Sequence, residues 1–208
     1  MVETEPHGHP APPEGRVALP LGPELWERAF LVAPLVLVTT KEGEAWDVAP
    51  KHMAMPLGWD GHFCFACTPE HATHRNVQAH PWFTVSVLGP EQVLTSSLAA
   101  GARAPDGSKP SLAAVPTEPA LAVDGRTVVG SPLTLELELD RVIDGFGRAS
   151  LIVGRIVAAS TLPDARRDAE TDDADLLHRL GALVYLHPGR FAIARETHGF
   201  PFPVDFSR

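Results

Sequence analysis

Residues 67–87, CTPEHATHRNVQAHPWFTVSV, contain a short polar segment set between two apolar, alternating segments. Helical geometry puts Thr73, Asn76 and Val77 on one face, at spacings of three and four residues. Pro81 then stops the helix, because proline lacks the amide that the next turn needs. This order predicts a short helix between two strands.

The start of this helix has the chemistry of an anion site. The first amide groups of a helix have no partner within it, and the helix dipole adds positive potential there. A hydroxyl at Thr73 suits a phosphate, but threonine is also a common capping residue. The spacing leaves both interpretations open.

The flanking sequence predicts a mainly β fold. LVLVTT (35–40) and AWDVAP (45–50) flank a four-residue connection that contains Gly43, which indicates a hairpin. Further strands are predicted for HFCFAC (62–67), WFTVSVL (82–88), PLTLELEL (132–139), ASLIVGRIVAAS (149–160) and FAIAR (191–195). Many short strands, few helices and no βαβ rhythm predict an antiparallel barrel with a few short peripheral helices.

Three of these strands carry specific expectations. In 132–139 the leucines alternate with Thr134, Glu136 and Glu138, so the polar face should lie in water. In 82–88 the alternation predicts one face on a core. Gly154, in the middle of its strand, predicts a bulge or a bend.

Two further segments have helical features. Proline and glutamate open PELWERAFLV (23–32) and suit the first turn of an amphipathic helix. Leucines at positions 176, 177, 180 and 183 have helical spacing after an acidic lead-in. Residues 88–131 are rich in glycine and proline, which predicts long loops with one or two helical turns, and such loops are often functional.

Length and composition predict one main domain. Residues 1–20 are rich in proline and glutamate without periodicity, which predicts a mobile N-terminal arm before a domain at 21–208. The net charge of −9 disfavours a nucleic-acid partner. No apolar run is long enough to span a membrane, and the N-terminus lacks the order of a signal peptide, so we expect a cytoplasmic protein.

Cys64 and Cys67 are the only cysteines of the chain. They lie in a strand-like stretch, where residues three apart point to opposite faces, so a redox or metal pair is disfavoured and buried small side chains are expected. The histidines show no metal-ligand spacing, so no metal site is predicted.

The order of the motifs resembles the flavin reductase-like, FMN-binding split-barrel family. DVAPKHMAM (47–55), FACTPEHATHRNV (65–77) and PWFTVSV (81–87) follow the family order, and the Gly154 strand and LVYLHPGRFAIA (183–194) continue it. The resemblance covers most of residues 25–195. It implies an antiparallel split β-barrel, Greek-key-like, that binds FMN and forms a homodimer with the flavin at the subunit interface.

The resemblance also implies a site. The strand end at 47–50 would lie along the flavin ring, and the helix start with Thr73 and Asn76 would receive the phosphate. The implied cofactor-binding residues are Pro50, Lys51, His52, Met53, Ala54, Ala66, Cys67, Thr68, His71, Thr73, Arg75 and Asn76. Lys51 is the candidate cation for the charge of the reduced flavin, unless it is a solvated lysine at a strand end. No other catalytic residue is assigned.

The function implied is that of an FMN-binding flavoprotein, an NAD(P)H-dependent flavin reductase or a related oxidoreductase with an unidentified electron acceptor. Where reductases of the family carry Gly-Asp-His, however, this chain has Gly147, Arg148 and Ala149. A basic residue often found before the motif threonine is His71 here, whose charge depends on pH. Two alternatives therefore stay open, a non-enzymatic FMN-binding electron carrier and a flavin-free interaction barrel.

Overall fold

The structure is a computed structural model, and it describes residues 12–203. Its strands are β1 (Leu31–Pro34), β2 (Val36–Glu42), β3 (Ala45–Lys51), β4 (Ala54–Pro56), β5 (His62–Cys67), β6 (Trp82–Val87), β7 (Thr117–Pro119), β8 (Arg126–Val128), β9 (Leu133–Phe146), β10 (Ala149–Thr161), β11 (Ala182–His187) and β12 (Arg190–Ala194). Its α-helices are α1 (Ala72–Ala79), α2 (Val93–Ala99) and α3 (Asp173–Leu180). Short 3-10 helices cover Pro23–Glu27, Pro90–Gln92, Pro110–Ala114 and Pro163–Ala165.

The strands form a curled, seven-stranded half-barrel sheet with two small sheets beside it. The large sheet has the order β3-β2-β6-β9-β10-β5-β4, and the small sheets are β1-β11-β12 and β7-β8. Each neighbouring pair is antiparallel. Strands far apart in sequence, such as β2 and β6, lie side by side, so the mainly β, antiparallel prediction is confirmed.

The large sheet buries apolar side chains on both faces. One cluster contains Phe65, Phe83 and Leu137, and the rings of Phe65 and Phe83 meet edge to face at 5.8 Å. The other contains Leu37 and Leu183. Because neighbouring residues on a strand point to opposite faces, β2 contributes to both clusters through successive residues.

The predicted bulge at Gly154 is confirmed. The pairing of β9 with β10 shifts register between Val153 and Gly154. A Cβ atom at Gly154 would lie 2.5 Å from the ring of Phe83. The strand therefore needs a glycine there, because any side chain would displace a core phenylalanine.

The predicted hairpin of β2 and β3 is also confirmed, with a tighter turn than expected. Lys41 pairs with Trp46 and Glu42 with Ala45, so only two residues form the turn. Gly43 is the first of them and has a φ of 62°, a conformation that favours glycine.

The prediction of a solvated polar face on 132–139 is wrong at its centre. The Glu136 side chain is buried, with 1% of the residue exposed. Its carboxylate accepts the amide hydrogens of Leu121, Ala122 and Val123 at 2.7, 2.6 and 3.1 Å. These backbone donors replace water, which is what allows a carboxylate to be buried there.

The second face of β6 is also covered, although the alternation predicted one buried face. The Thr84 hydroxyl donates to the carbonyl of Arg126 at 2.6 Å, and the Ser86 hydroxyl accepts the amide of Val128 at 3.1 Å. Both partners lie on β8. Part of the glycine- and proline-rich segment therefore packs on the sheet through polar contacts.

Two helix predictions need correction. PELWERAFLV forms only the 3-10 helix Pro23–Glu27, and the chain then enters β1, which pairs with β11. The helical leucine spacing holds to Leu180, but Leu183 lies on β11. The helix ends at Gly181, whose φ of 69° suits a glycine at a helix C-terminus.

The predicted N-terminal arm is described only in part. Residues 1–11 lie outside the described residues, and residues 12–20 are exposed and contain no helix or strand. The division at residue 20 stays a prediction. Among residues 12–203, no helix has both the length and the apolar character needed to cross a membrane.

Candidate functional site

Two adjoining cavities lie where β3 ends and α1 begins. The narrow cavity, of about 200 Å³, is lined by Pro50, Lys51, His52, Met53, Ala66, Cys67, Thr68, His71 and Ala149. The wide cleft, of about 460 Å³, is lined by β3, by the start of α1 and by the segment 99–109. Pro50, Lys51 and His71 line both, so the two spaces are continuous along the strand end.

The structure brings together ten of the twelve residues in the predicted site. Eight line the narrow cavity, and Thr73 and Arg75 line the wide cleft. Ala54 and Asn76 line neither. Ala54 is buried opposite Phe65 in the pairing of β4 with β5. The Asn76 amide donates to the Thr40 hydroxyl at 3.0 Å and so fastens α1 to β2.

Lys51 is buried between the two cavities. Only 9% of the residue is exposed, so the interpretation as a solvated lysine is wrong. Its Nζ donates to the Sγ of Cys67 at 3.6 Å. Burial raises the pKa of the Cys67 thiol, an effect that nearby Lys51 opposes. The thiol form is therefore favoured at neutral pH, so Cys67 does not offer Lys51 a thiolate partner.

Both cysteines are free and buried within β5. Burial also raises the pKa of the Cys64 thiol. Among the residues that the structure describes, no three His, Cys, Asp or Glu side chains group as metal ligands would.

The start of α1 opens onto the wide cleft. The N-cap residue is His71, which makes no side-chain capping bond, and Thr73 lies second inside the helix, so Thr73 is not the cap. The Thr73 side chain is buried, with 1% of the residue exposed, and its hydroxyl bonds to no group within residues 12–203. The amides of Ala72 and Thr73 make no backbone hydrogen bond within the described chain. Three donors at this helix start are thus available.

The two basic residues near this helix start differ in their surroundings. Burial lowers the pKa of His71, and the charge of Lys51 lowers it further, so the neutral imidazole is favoured at neutral pH. Arg75 donates from its guanidinium to the carbonyl of Glu70 at 2.7 Å. Arg75 is therefore tied to the loop before the helix.

Sequence reasoning missed the far wall of the wide cleft. This wall contains Arg103 and Lys109 from the long loop segment, and both contact Asp47 of β3. The Asp47 carboxylate lies 3.1 Å from the Arg103 guanidinium and 3.4 Å from the Lys109 ammonium. Lys109 also donates to the carbonyl of Val48 at 2.7 Å. Only the length of the loop pointed to a role for these residues.

The sequence matches the family profile described as "Flavin reductase like domain" over residues 28–193. The chain belongs to the flavin reductase-like family. It is accordingly a flavin reductase-like oxidoreductase, and the family supports a flavin as its cofactor. No curated protein sequence matches the chain.

Solved structures share the fold of this flavin reductase-like protein. An FMN-binding protein from Thermus thermophilus, with bound p-hydroxybenzaldehyde, has a TM-score of 0.70 at 20% identity over 89% of this chain and 98% of that chain. Flavoredoxin from Methanosarcina acetivorans has a TM-score of 0.69 at 12% identity, over 83% and 90%. The NADH:FAD oxidoreductase of Streptomyces globisporus has a TM-score of 0.62 at 17% identity, over 78% and 86%. At these identities the likeness shows the fold alone.

The residues that match the Gly-Asp-His tripeptide of the family's reductases lie at and beside the narrow cavity. Ala149 lines the narrow cavity, and Gly147 lies in the turn between β9 and β10 with a φ of 64°. The position that matches the family histidine therefore offers the cavity a methyl group, which can neither donate a hydrogen bond nor transfer a proton.

The flavin reductase-like protein should depend on Asp47 for stability. Replacing Asp47 by Asn leaves the buried Lys109 ammonium without an anion, and breaking a buried ion pair typically costs about 3 kcal/mol or more. We expect a free energy of unfolding lower by about that amount in urea titrations. The control is Asp124→Asn, because Asp124 is exposed and pairs with Lys41 on the surface. Equal, small losses for both variants would contradict the role of Asp47.

Proposed function

We propose that this flavin reductase-like protein binds FMN and uses it as an NAD(P)H-dependent flavin reductase or related oxidoreductase. The observation that carries the proposal is the helix start with available donors at Ala72 and Thr73, next to a narrow cavity with the buried cation Lys51. FMN consists of a ring system joined by a short chain to a phosphate. Its binding site therefore needs a cavity for the ring next to a helix start that can bind the phosphate.

The residues present fit an FMN molecule. The narrow cavity, between β3 and β5, would hold the ring against Pro50, Met53 and Ala66. The Thr73 hydroxyl and the first α1 amides would hold the phosphate. Bound flavin supplies the ability to accept a hydride and pass electrons on. The chain's own residues bind it, orient it and limit the access of water.

The charges of the wide cleft favour a single phosphate. Arg103 donates to the Glu42 carboxylate at 3.0 Å as well as pairing with Asp47, and Lys109 is held by Asp47 and the Val48 carbonyl. Both cations on the far wall are thus already paired. A second phosphate, as in FAD, would have to replace these partners, so FMN suits the cleft better.

Lys51 is the residue proposed to stabilise the reduced flavin. Reduction places negative charge on the ring system, and a fixed cation beside it favours the charged form. Lys51 meets this requirement, because it is buried and its Nζ is positioned by Cys67. The interaction is stronger there than for an exposed lysine, since less water screens it.

Replacing Thr73 by Val tests the phosphate position. Losing one hydrogen bond to a charged group costs roughly 1.5–3 kcal/mol, which is about ten- to a hundredfold in affinity. FMN should therefore bind that much more weakly, while riboflavin, which has no phosphate, should bind almost unchanged in fluorescence titrations.

The matched control for this titration is Thr39→Val. Thr39 is buried on β2, and its hydroxyl has no hydrogen-bond partner within residues 12–203. This variant should bind both flavins like the wild type. Equal losses of FMN and riboflavin in Thr73→Val would make Thr73 a purely structural residue, and a wild-type protein that takes up neither flavin would favour the flavin-free barrel.

Replacing Lys51 by Met should lower the midpoint potential of bound FMN. A partly desolvated charge interaction of about 1–2 kcal/mol corresponds to roughly 20–40 mV for a two-electron couple. The change in affinity for oxidised FMN should be smaller. Lys41→Met is the control, because Lys41 lies on the surface and pairs with Asp124. An unchanged potential in Lys51→Met would remove Lys51 from the mechanism.

One observation favours the second candidate, a non-enzymatic FMN electron carrier. Ala149 stands where reductases of the family carry histidine, so the narrow cavity lacks that side chain. Anaerobic mixing of the FMN-loaded protein with NADH and with NADPH separates the two candidates. A flavin reductase should bleach at a rate that saturates with one nicotinamide. If neither NADH nor NADPH bleached the bound flavin, the electron carrier would be the remaining candidate.

A homodimer and a cytoplasmic location stay predictions. The homodimer is supported by exposed apolar side chains around β1 and β12, where Phe30, Val32 and Phe191 are 68, 64 and 52% exposed. Burying such side chains is the usual reason for twofold association. Light scattering at the monomer mass of 22.3 kDa would contradict it.

A further inference from the structure

A loop on the far wall of the wide cleft, residues 102–109, folds back on itself, and we call it the strap. Inside the strap the amide of Gly107 donates to the carbonyl of Ala104 at 2.9 Å. At its base, a Cβ atom on Gly101 would overlap the Ser111 hydroxyl, so the two ends of the strap are in close contact. A surface loop whose ends meet and whose interior bonds to itself can move as one piece.

Few apolar contacts hold the strap in place. Residues 102, 103 and 105–108 are exposed, and no strap residue belongs to either apolar cluster of the described chain. The chain on both sides is anchored, because Ala99 and Val115 are buried in the second cluster. A segment with so little buried apolar surface opens locally at a lower cost than the sheet beside it.

Charged contacts hold the strap instead. The Arg103 guanidinium donates to the Glu42 carboxylate at 3.0 Å and lies 3.1 Å from the Asp47 carboxylate. The same guanidinium donates to the Gly107 carbonyl at 2.7 Å, so Arg103 also ties the strap internally. The Lys109 ammonium lies 3.4 Å from the Asp47 carboxylate. Two cations therefore close the strap against β2 and β3, and Arg103 couples this closure to the internal folding of the strap.

The carboxylate that both cations contact, Asp47, also lines the wide cleft. Asp47 and Lys51 lie on the same face of β3, because residues four apart on a strand point the same way, and Thr73 lies across the cleft on α1. The cleft has four lysine and arginine side chains and two carboxylates among its lining residues, which are Lys51, Arg75, Arg103 and Lys109, with Asp47 and Glu70. Two of the four cations belong to the strap. The lining therefore has a net positive charge only while the strap is closed.

We propose that the strap is a lid linked to the phosphate site: its closure and the binding of a phosphate group in the wide cleft strengthen each other. When the strap is open, Asp47 faces the cleft without its cations and repels a phosphate. When the strap is closed, Arg103 and Lys109 neutralise Asp47, so Thr73 and the amides of the α1 start can bind the anion. The linkage is reciprocal, so a phosphate that prefers the closed strap holds it closed by the same factor.

This lid rests on the proposed function, because it regulates the same phosphate site. The phosphate group is there the phosphate of FMN. FMN is held more tightly by the closed strap and leaves more readily when the strap opens. Riboflavin, which has no phosphate, gains nothing from closure. The protein therefore retains its flavin through the phosphate.

Hydrogen exchange of the full chain, followed by mass spectrometry on the peptide that covers the strap, measures how often the strap opens. The amides of Ala104 and Gly107 report on opening, because both are hydrogen-bonded inside the strap. Saturating FMN should slow their exchange by roughly fivefold or more, and saturating riboflavin should leave it unchanged. FMN that binds without slowing the exchange, or riboflavin that slows it equally, would overturn the proposal.

Replacing Arg103 by Gln removes the contacts of the strap with Glu42 and Asp47. Arg103 is exposed, so the fold should survive the change. In the ligand-free variant the strap should exchange roughly two- to thirtyfold faster, because two partly exposed ion pairs are lost. FMN should bind several-fold more weakly and riboflavin unchanged in fluorescence titrations. Exchange at the wild-type rate would show that these pairs do not close the strap, and the proposal would fail.

The matched control is Arg75→Gln. Arg75 also lines the wide cleft, but it lies on α1 and donates to the Glu70 carbonyl. This variant removes one charge from the cleft without touching the strap. It should bind FMN more weakly, yet the ligand-free strap should exchange at the wild-type rate. Equal acceleration in Arg75→Gln and Arg103→Gln would contradict the lid.

Inorganic phosphate separates this proposal from the proposed function, because it carries the anion without the flavin. Compared with chloride at the same ionic strength, phosphate should slow the exchange of the strap. Slowing by phosphate in a protein that takes up no FMN would support the lid and contradict the flavin function. FMN uptake with no slowing by FMN or by phosphate would overturn the lid and leave the flavin function intact.

Discussion

The buried Asp47 carboxylate joins the strand that carries the site to the loop that closes it. Asp47 lies on β3, three residues before Pro50, and 4% of its side chain is exposed. Its partners, Arg103 and Lys109, lie on a segment without regular secondary structure between α2 and a 3-10 helix. Removing the carboxylate or its cations would leave the remaining charge poorly solvated. The ion pairs therefore hold the loop that contains Arg103 and Lys109 against β3.

Polar side chains of the sheet also bind the long loop segment on the other face of the sheet. Glu136 receives three backbone amides from residues 121–123, and Thr84 and Ser86 bind the backbone near β8. Residues 88–131 also supply four of the seven buried members of the second apolar cluster, Leu88, Ala99, Val115 and Val128. Polar side chains on the sheet hold the backbone of this segment in addition to that apolar packing, because each buried amide needs an acceptor. This fixed segment supplies the far wall of the wide cleft.

These contacts explain what the sequence could and could not predict. Alternation located β2, β3, β5, β6, β9 and β10, and the spacing of Thr73, Asn76 and Val77 located α1, because period and breakers are local properties. Alternation separates two faces but does not say what covers the polar one, so the pattern alone places Glu136 in water. Lys109 meets Asp47 across 62 residues, a contact that no local pattern encodes. Asn76 shares a helix face with Thr73 but lies one turn farther along, where it meets Thr40 instead of the cleft.

The strand end at Pro50 connects the narrow cavity and the wide cleft. Within residues 12–203, β3 is an edge strand of the large sheet that pairs only with β2, and Pro50 stands opposite Leu37. Edge strands tolerate proline, because its missing amide faces no neighbouring strand. An ordinary residue at this position would have an amide in need of a partner on the open side. Proline removes that requirement, so the narrow cavity and the wide cleft can both border the same strand end.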